Sequence, residues 1–85
     1  MALRSAPNEL NWSRYGYAVP KRVGKAVTRN RVRRRLREML RLLPVQEGYD
    51  VVISARPEAA QASFYQLKAE LTLLLRRAKL LDVPA

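Results

Sequence analysis

The sequence predicts a two-layer α/β (α+β) domain, in which two helices pack on one face of a small mixed sheet in the order β-β-α-β-α. Two segments repeat apolar residues at helical spacing, and three shorter segments show strand patterns. The length of 85 residues suffices for one small domain. Because each apolar stripe must be buried against another element, we expect a single domain over residues 1–85.

The first two predicted strands precede residue 20. Residues 2–5 have weak strand character and lead into the turn-rich segment "PNELN". In "RYGYAVP", Tyr15, Tyr17 and Val19 recur with the period of two that is typical of a strand, so they should share one face. Pro20 can close this strand because proline has no N–H to donate to a ladder.

The first predicted helix covers about residues 28–43. It follows the basic loop "KRVGK", with Thr28 as the expected N-cap and Pro44 as the stop. Its core-facing stripe is spaced i, i+4, i+7, i+8 and i+11. The stripe consists of Val32, Leu36, Met39, Leu40 and Leu43.

A third strand and a second helix complete the predicted domain. Gly48 opens "YDVVISA", whose β-branched run predicts a buried strand over about 49–55. Ser63 and Gln66 form a capping-box pattern before a leucine ladder, which predicts a helix over about 63–79. The remaining "LLDVPA" is expected to be a tail.

Composition argues against catalysis by the chain itself. There is no cysteine and no histidine, which excludes thiolate and imidazole metal sites, Cys or His nucleophile systems and the usual general base at pH 7. The carboxylates are scattered, without a close pair or metal-type spacing. They are Glu9, Glu38, Glu47, Asp50, Glu58, Glu70 and Asp82. We therefore expect no catalytic residue and no metal ligand in this chain.

The net charge of +10 instead predicts a polyanionic partner. No apolar run approaches the roughly 20 residues of a membrane span, and no signal sequence is apparent, so we expect a cytoplasmic protein without a membrane partner. Ten of the seventeen basic residues lie between Lys21 and Arg41. The charge is thus concentrated in one loop and the helix that follows it.

Three interpretations of this basic helix remain open: a solvated face, a membrane-surface patch and a nucleic-acid-binding surface. Seven arginines lie between Arg29 and Arg41, and Glu38 is the only acid among them, whereas a solvated face normally interleaves charges. The aliphatic stripe lacks interfacial Trp or Phe and is needed for the core, which weakens the membrane interpretation. Guanidinium groups bind phosphates bidentately, and a broad arginine surface suits structured RNA better than a DNA major groove.

The segment "YAVPKRVGKAVTRNRVRRRLREML" resembles the signature of the bacterial ribonuclease P protein component. The pattern of that family is a strand ending in V-S-K-K-x-G, followed by A-V-x-R-N-x-x-[KR]-R-x-x-R-E. The matching residues are Val19, Lys21, Arg22, Gly24, Ala26, Val27, Arg29, Asn30, Arg33, Arg34, Arg37 and Glu38. The resemblance extends over about residues 14–81, because "GYDVVISARPEAAQASFYQLKAELTLLLRRAKLL" is similar to the last strand and helix of the family.

The resemblance implies that RNA performs the chemistry. In that enzyme an RNA subunit with bound Mg²⁺ removes the 5′ leader of precursor tRNA, while the protein binds the catalytic RNA and the leader. The candidate RNA-binding residues are Lys21, Arg22, Lys25, Arg29, Asn30, Arg31, Arg33, Arg34, Arg37 and Arg41. Tyr15 and Tyr17 are candidate leader contacts on an exposed sheet face, although alternation also allows them to face the core. The family further implies a left-handed β-α-β crossover, against the usual right-handed rule.

The chain departs from the family pattern in two respects. It begins near the end of the family's first strand, without the usual first helix, and Pro20 replaces the usual serine. Without that helix, part of the sheet and of the leucine-rich last helix would be exposed, so we expect that the chain can self-associate. The alternative function is that of a general RNA-binding or ribosome-associated protein without a role in cleavage.

Overall fold

The computed structural model describes residues 1–81 and contains a three-stranded mixed sheet. The strands are β1 (Ala2–Pro7), β2 (Arg14–Ala18) and β3 (Tyr49–Ser54). Their spatial order is β1-β3-β2, with β3 antiparallel to β1 and parallel to β2. The strand that is last in sequence is therefore the central one.

Two helices cover one face of this sheet. Helix α1 (Ala26–Leu42) connects the parallel strands β2 and β3, and helix α2 (Phe64–Arg77) follows β3. Short 3₁₀ turns at Lys21–Val23 and Pro57–Ala60 precede the two helices. The predicted order β-β-α-β-α and the two-layer architecture are confirmed, while the hand of the crossover stays a prediction.

The core lies between the sheet and both helices. Val51 and Ile53 of β3 are buried on the helical side, whereas Val52 between them is exposed on the other side. Each helix contributes its predicted apolar stripe, so the periodicities assign the core correctly. The residues with at most 2% exposure on the helices are Val32, Leu36, Met39, Leu67, Leu71 and Leu75.

The ends of the helices differ from the prediction. Helix α1 begins two residues before Thr28, with Lys25 at the N-cap and no side-chain cap. Gly24, two residues ahead of Ala26, has a φ of 152°, which glycine adopts readily, and a Cβ there would lie 3.1 Å from Thr28 Cβ. Helix α2 has the predicted capping box, in which Gln66 N donates to Ser63 Oγ at 3.1 Å. Neither helix is long and apolar enough to cross a membrane.

The segment after α2 is not all a tail, in contrast to the prediction. Lys79 adopts a φ of 59°, which turns the chain back towards the core. Leu80 is 1% exposed, and its carbonyl accepts a hydrogen bond from Gln46 N at 2.7 Å. The rest of the predicted tail, residues 82–85, lies outside the described residues.

A bidentate ion pair joins the two parallel strands on the open face of the sheet. Arg14 Nε and Nη2 donate to the two carboxylate oxygens of Asp50 at 2.8 and 2.7 Å, and Asn8 Nδ2 donates to the same carboxylate at 3.0 Å. These hydrogen bonds, first from Arg14 and then from Asn8, lower the pKa of Asp50 from 3.8 to about 2. The Arg14–Asp50 ion pair connects β2 to β3 near the beginning of both strands.

This lowered pKa predicts a pH dependence of stability. The ionised Asp50 stabilises the folded state above its unfolded pKa of 3.8, and this contribution is lost as the pH falls towards about 2. Thermal unfolding of the wild type and of Asp50→Asn should therefore differ at pH 6, and the difference should shrink between pH 4 and pH 2. A constant difference across that window would contradict the assignment.

Candidate nucleic-acid interface

Helix α1 presents arginines over most of the circumference that does not face the core. Arg34 and Arg41 are exposed on the side directed away from the sheet. A row at i, i+4 and i+8, formed by Arg29, Arg33 and Arg37, lies on the flank that faces β2. The helix thus offers one broad cationic surface rather than a single charged stripe.

The loop before α1 extends this surface. Lys21, Arg22 and Lys25 are all exposed. Within the part of the chain that the structure describes, no side chain caps the start of α1. Its first backbone N–H groups therefore remain available to an acceptor from a ligand. Uncapped N–H groups beside cationic side chains are a favourable environment for a phosphate.

Arg33 of this row borders a groove at the carboxyl ends of β2 and β3. Because these strands are parallel, the segments that follow them meet at the same edge of the sheet, where Ala55 N donates to Ala18 O at 2.9 Å. Three guanidinium groups converge there. The side chains that line the groove include Tyr17, Pro20, Arg22, Arg33, Ser54 and Arg56.

Arg56 is the functional candidate that sequence reasoning missed. It lies outside the basic segment, and its neighbour Glu58 makes the local charge look ordinary. The parallel pairing of β2 with β3 would have identified it, because Arg22 and Arg56 each follow one of these strands. That pairing could not be read from composition.

The structure shows which of the two faces left open by alternation, the open face of the sheet or the core side, Tyr15 and Tyr17 occupy. They align with the buried residues Val51 and Ile53 of β3, so they lie on the helical side of the sheet and pack, half-buried, against the core. This outcome corresponds to the other orientation that alternation allows. Burial raises the pKa of Tyr17, and the positive charge of Arg37 opposes the shift. Tyr17 therefore lies at the border between the core and the cationic row.

Asn30 orients one arginine of the surface. Its side-chain oxygen accepts a hydrogen bond from Arg33 Nη1 at 3.0 Å, while both residues remain at least partly accessible. The amide nitrogen of Asn30 is left as a donor beside a positioned guanidinium. A single phosphate or base edge could accept hydrogen bonds from both groups.

Two arginines of α1 serve the fold on the flank towards α2. Arg31 Nη2 donates to Ala60 O at 3.0 Å, and Arg35 Nη1 donates to Ala62 O at 3.1 Å. These bonds connect α1 to the segment that leads into α2. Arg31 therefore has a partner within the chain, and its contact with RNA stays a prediction.

This geometry predicts that Arg35→Ala destabilises the protein without weakening RNA binding much. Removal of a partly buried, charge-assisted hydrogen bond to a carbonyl should cost about 1–2 kcal/mol in the free energy of unfolding. Urea unfolding and the salt dependence of RNA binding measure the two effects separately. Arg34→Ala is the matched control, since it should show the opposite behaviour. Equal decreases of RNA affinity in Arg35→Ala and Arg34→Ala would contradict the assignment of Arg35 to the fold and of Arg34 to RNA binding.

The described residues, 1–81, contain no group of three Asp, Glu, His or Cys side chains that could hold a metal ion. The surface of α1 offers donors and positive charges, which suit phosphate oxygens. In charge and hydrogen-bonding capacity this surface is complementary to a polyanion.

Known proteins share both the sequence and the fold. The family model described as Ribonuclease P matches residues 1–79. The ribonuclease P protein component of Roseiflexus sp. (strain RS-1) is 49% identical over 85 residues, with 96% of this chain and 70% of the relative covered. That of Caldanaerobacter subterraneus subsp. tengcongensis is 46% identical over 78 residues, with 89% of this chain and 67% of the relative covered.

Solved structures agree with these relatives. The RNase P protein of Staphylococcus aureus superposes with a TM-score of 0.84 at 28% identity, covering 94% of this chain and 75% of that one. The RNase P protein of Thermotoga maritima gives a TM-score of 0.80 at 28% identity, covering 88% and 74%. The chain therefore belongs to the family of the ribonuclease P protein component, the protein subunit of the endoribonuclease that matures the 5′ end of tRNA.

Proposed function

We propose that this chain binds the RNA subunit of ribonuclease P and the 5′ leader of precursor tRNA, and thereby assists Mg²⁺-dependent removal of the leader. The observation that carries the proposal is the continuous cationic surface formed by α1 and the loop before it, which contains one acid, Glu38. A cytoplasmic location accompanies this proposal, because the precursors of bacterial tRNA are made there.

The accessible arginines of α1 would hold structured RNA. Arg34, Arg37 and Arg41 are exposed side by side on a helix whose opposite side is fixed in the core. A helix that is half-buried in this way cannot enter a DNA major groove deeply, but it can lie against the backbones of a folded RNA. Bidentate guanidinium–phosphate contacts supply the affinity without reading the sequence.

The groove at the ends of β2 and β3 would receive the single-stranded leader. Arg22, Arg33 and Arg56 surround it with positive charge, and Tyr17 and Pro20 contribute apolar walls. An open cationic groove with an aromatic wall suits an unpaired strand, whose bases can stack on the ring. Tyr15 lies further from the groove along β2, so Tyr17 is the stronger candidate for a leader contact.

Mg²⁺ is proposed to belong to the RNA partner. The carboxylates within residues 1–81 are too dispersed to form a magnesium site, which needs oxygen ligands around one ion. When bound to the RNA, Mg²⁺ would supply Lewis-acid stabilisation and an activated water. The chain's own arginines would reduce the repulsion between the RNA subunit and its substrate, so that both associate at a lower Mg²⁺ concentration.

Reconstitution tests the proposal. The protein is added to a bacterial ribonuclease P RNA at a Mg²⁺ concentration at which the RNA alone cleaves precursor tRNA slowly, and cleavage should accelerate. Comparison of precursors with long and very short leaders should show that the acceleration depends on the leader. A folded protein that binds many structured RNAs equally and does not accelerate cleavage would instead indicate a general RNA-binding protein. The expected self-association stays a prediction, which sedimentation of the free protein would measure.

A further inference from the structure

The outer side of α2 bears exposed aromatic and aliphatic side chains that the proposed function does not use. Tyr65 is 80% exposed and Leu73 is 48% exposed, although both are large and partly or wholly apolar. With Ala69 they are spaced i, i+4 and i+8, which places them in one row opposite the buried leucine stripe. This row is not needed for the core.

A polar, cationic row runs beside the apolar one. Lys68, Thr72 and Arg76 share a shallow depression with the apolar row. We call these six residues the Tyr65 patch, which consists of Tyr65, Lys68, Ala69, Thr72, Leu73 and Arg76. The patch contains no acid, and Glu70, the only acid of α2, projects from the opposite flank of the helix. The patch therefore combines an apolar floor with uncompensated positive charge.

The Tyr65 ring has a defined orientation. It stands at 86° to the ring of Phe64, with 5.9 Å between the ring centroids. Phe64 itself is partly buried and packs against the core, so the exposed Tyr65 ring is in edge-to-face contact with an anchored neighbour. A tyrosine side chain has only two χ angles, so its ring loses little conformational entropy when a ligand stacks on it.

We propose that the Tyr65 patch is a second RNA-binding surface, which holds an unpaired nucleotide with its base stacked against Tyr65 and its phosphates on Lys68 and Arg76. An aromatic platform flanked by cations is the arrangement that binds single-stranded nucleic acid without sequence preference. The absence of acids in the patch disfavours a protein partner of mixed charge, and the few apolar side chains disfavour a lipid surface. This inference depends on the proposed function in one respect: the proposed function identifies which RNA the patch would meet in the cell.

The position of α2 allows one RNA to reach both surfaces. Both helices pack on the same face of the sheet and contact each other, so their outer sides belong to one layer of the molecule. Arg35 and Ala62 connect α1 to the start of α2 through a hydrogen bond of 3.1 Å. An RNA bound along α1 can therefore extend an unpaired segment over α2.

Binding of two RNA probes to the full chain tests the proposal. One probe is a short oligouridine that contains 5-iodouridine for photocrosslinking, and the other is a fully paired hairpin of similar charge. Tyr65→Ala should weaken oligouridine binding by about 5- to 100-fold, as expected when one stacked base is no longer supported, and should leave hairpin binding unchanged. Tyr65→Phe is the matched control, because it keeps the ring and should bind both probes like the wild type. One crosslink should map to Tyr65, separate from any crosslink in the groove beside Tyr17.

The charged side chains give an independent readout. The double variant Lys68→Gln/Arg76→Gln should reduce the slope of log affinity against log salt by about 0.7 for each phosphate of the single strand that is no longer neutralised. Oligouridine affinity unchanged by Tyr65→Ala, or a crosslink confined to α1, would overturn the proposal. A change in sedimentation mass with RNA binding intact would also overturn it and would identify the patch as a self-association surface. Since these probes require no ribonuclease P RNA, failure here is distinguishable from failure to stimulate cleavage.

Discussion

Simultaneous replacement of Arg33, Arg34 and Arg37 by glutamine is expected to abolish most of the specific RNA affinity of this protein. Each phosphate that is no longer neutralised should reduce the slope of log affinity against log salt by about 0.7–0.9, so three such phosphates correspond to about 50- to 150-fold in affinity at about 0.15 M salt. Stimulation of precursor-tRNA cleavage at low Mg²⁺ should fall in parallel, because Arg34 and Arg37 are proposed to hold the RNA subunit and Arg33 to border the leader groove. Titrations of ribonuclease P RNA at several salt concentrations measure the slope.

The matched control removes the same number of charges elsewhere. Arg4 lies on the open face of the sheet, and Arg77 and Lys79 lie at the end of α2, all three exposed. The triple glutamine variant at these positions should retain nearly the full slope and the stimulation of cleavage. If both triple variants showed the same reduction in slope, the net charge of +10 rather than the surface of α1 would account for binding.

The second large effect concerns the core beneath that surface. Leu36 is fully buried, with 0% exposure, where α1 packs against the sheet. Leu36→Ala should lower the free energy of unfolding by about 2–5 kcal/mol, since it removes buried methyl groups and leaves a cavity. For a small domain this corresponds to a decrease of about 10–30 °C in Tm. Thermal and urea unfolding followed by circular dichroism measure the change.

Two further variants locate the cause of this destabilisation. Leu36→Met keeps the volume and should cost less than about 1.5 kcal/mol. Leu42→Ala, on the same helix but 66% exposed, should change Tm only slightly. If Leu36→Ala and Leu42→Ala had equal effects, helix propensity rather than core packing would be responsible.

Periodicity is sufficient to predict the elements of the fold and the buried side of each helix. The leucine and valine residues of each helix form one stripe that must be buried as a whole. The burial of Leu36 and Leu71 therefore follows from their spacing. Capping patterns place the start of α1 at Thr28 instead of Ala26, because the actual N-cap residue, Lys25, makes no side-chain capping hydrogen bond and so leaves no signal in the sequence. The orientation of Tyr17 cannot be decided in this way, because alternation fixes which residues share a face but not which face is covered.

The candidate site is predictable where charge density alone defines it. Helical geometry is enough to predict that Arg34 and Arg41 are exposed. Arg31 and Arg35 lie on the flank that contacts the segment before α2, and the position of that segment is not evident from the sequence of α1. Arg56 joins the site only through the parallel pairing of β2 with β3. Long-range pairing is the information that a single sequence conveys least directly.

The central position of β3 has a consequence for how the chain acquires its structure during synthesis. Strands β1 and β2 are consecutive in sequence but share no hydrogen bonds, since each pairs only with β3. Until residue 54 has left the ribosome, neither strand has a ladder partner and α1 has no sheet to cover. Folding must therefore wait for contacts that are distant in sequence, which slows it relative to a chain of local hairpins. During this interval the nascent chain presents its arginines on an unsupported segment, and the ordered surface arises only when the last strand is inserted between the first two.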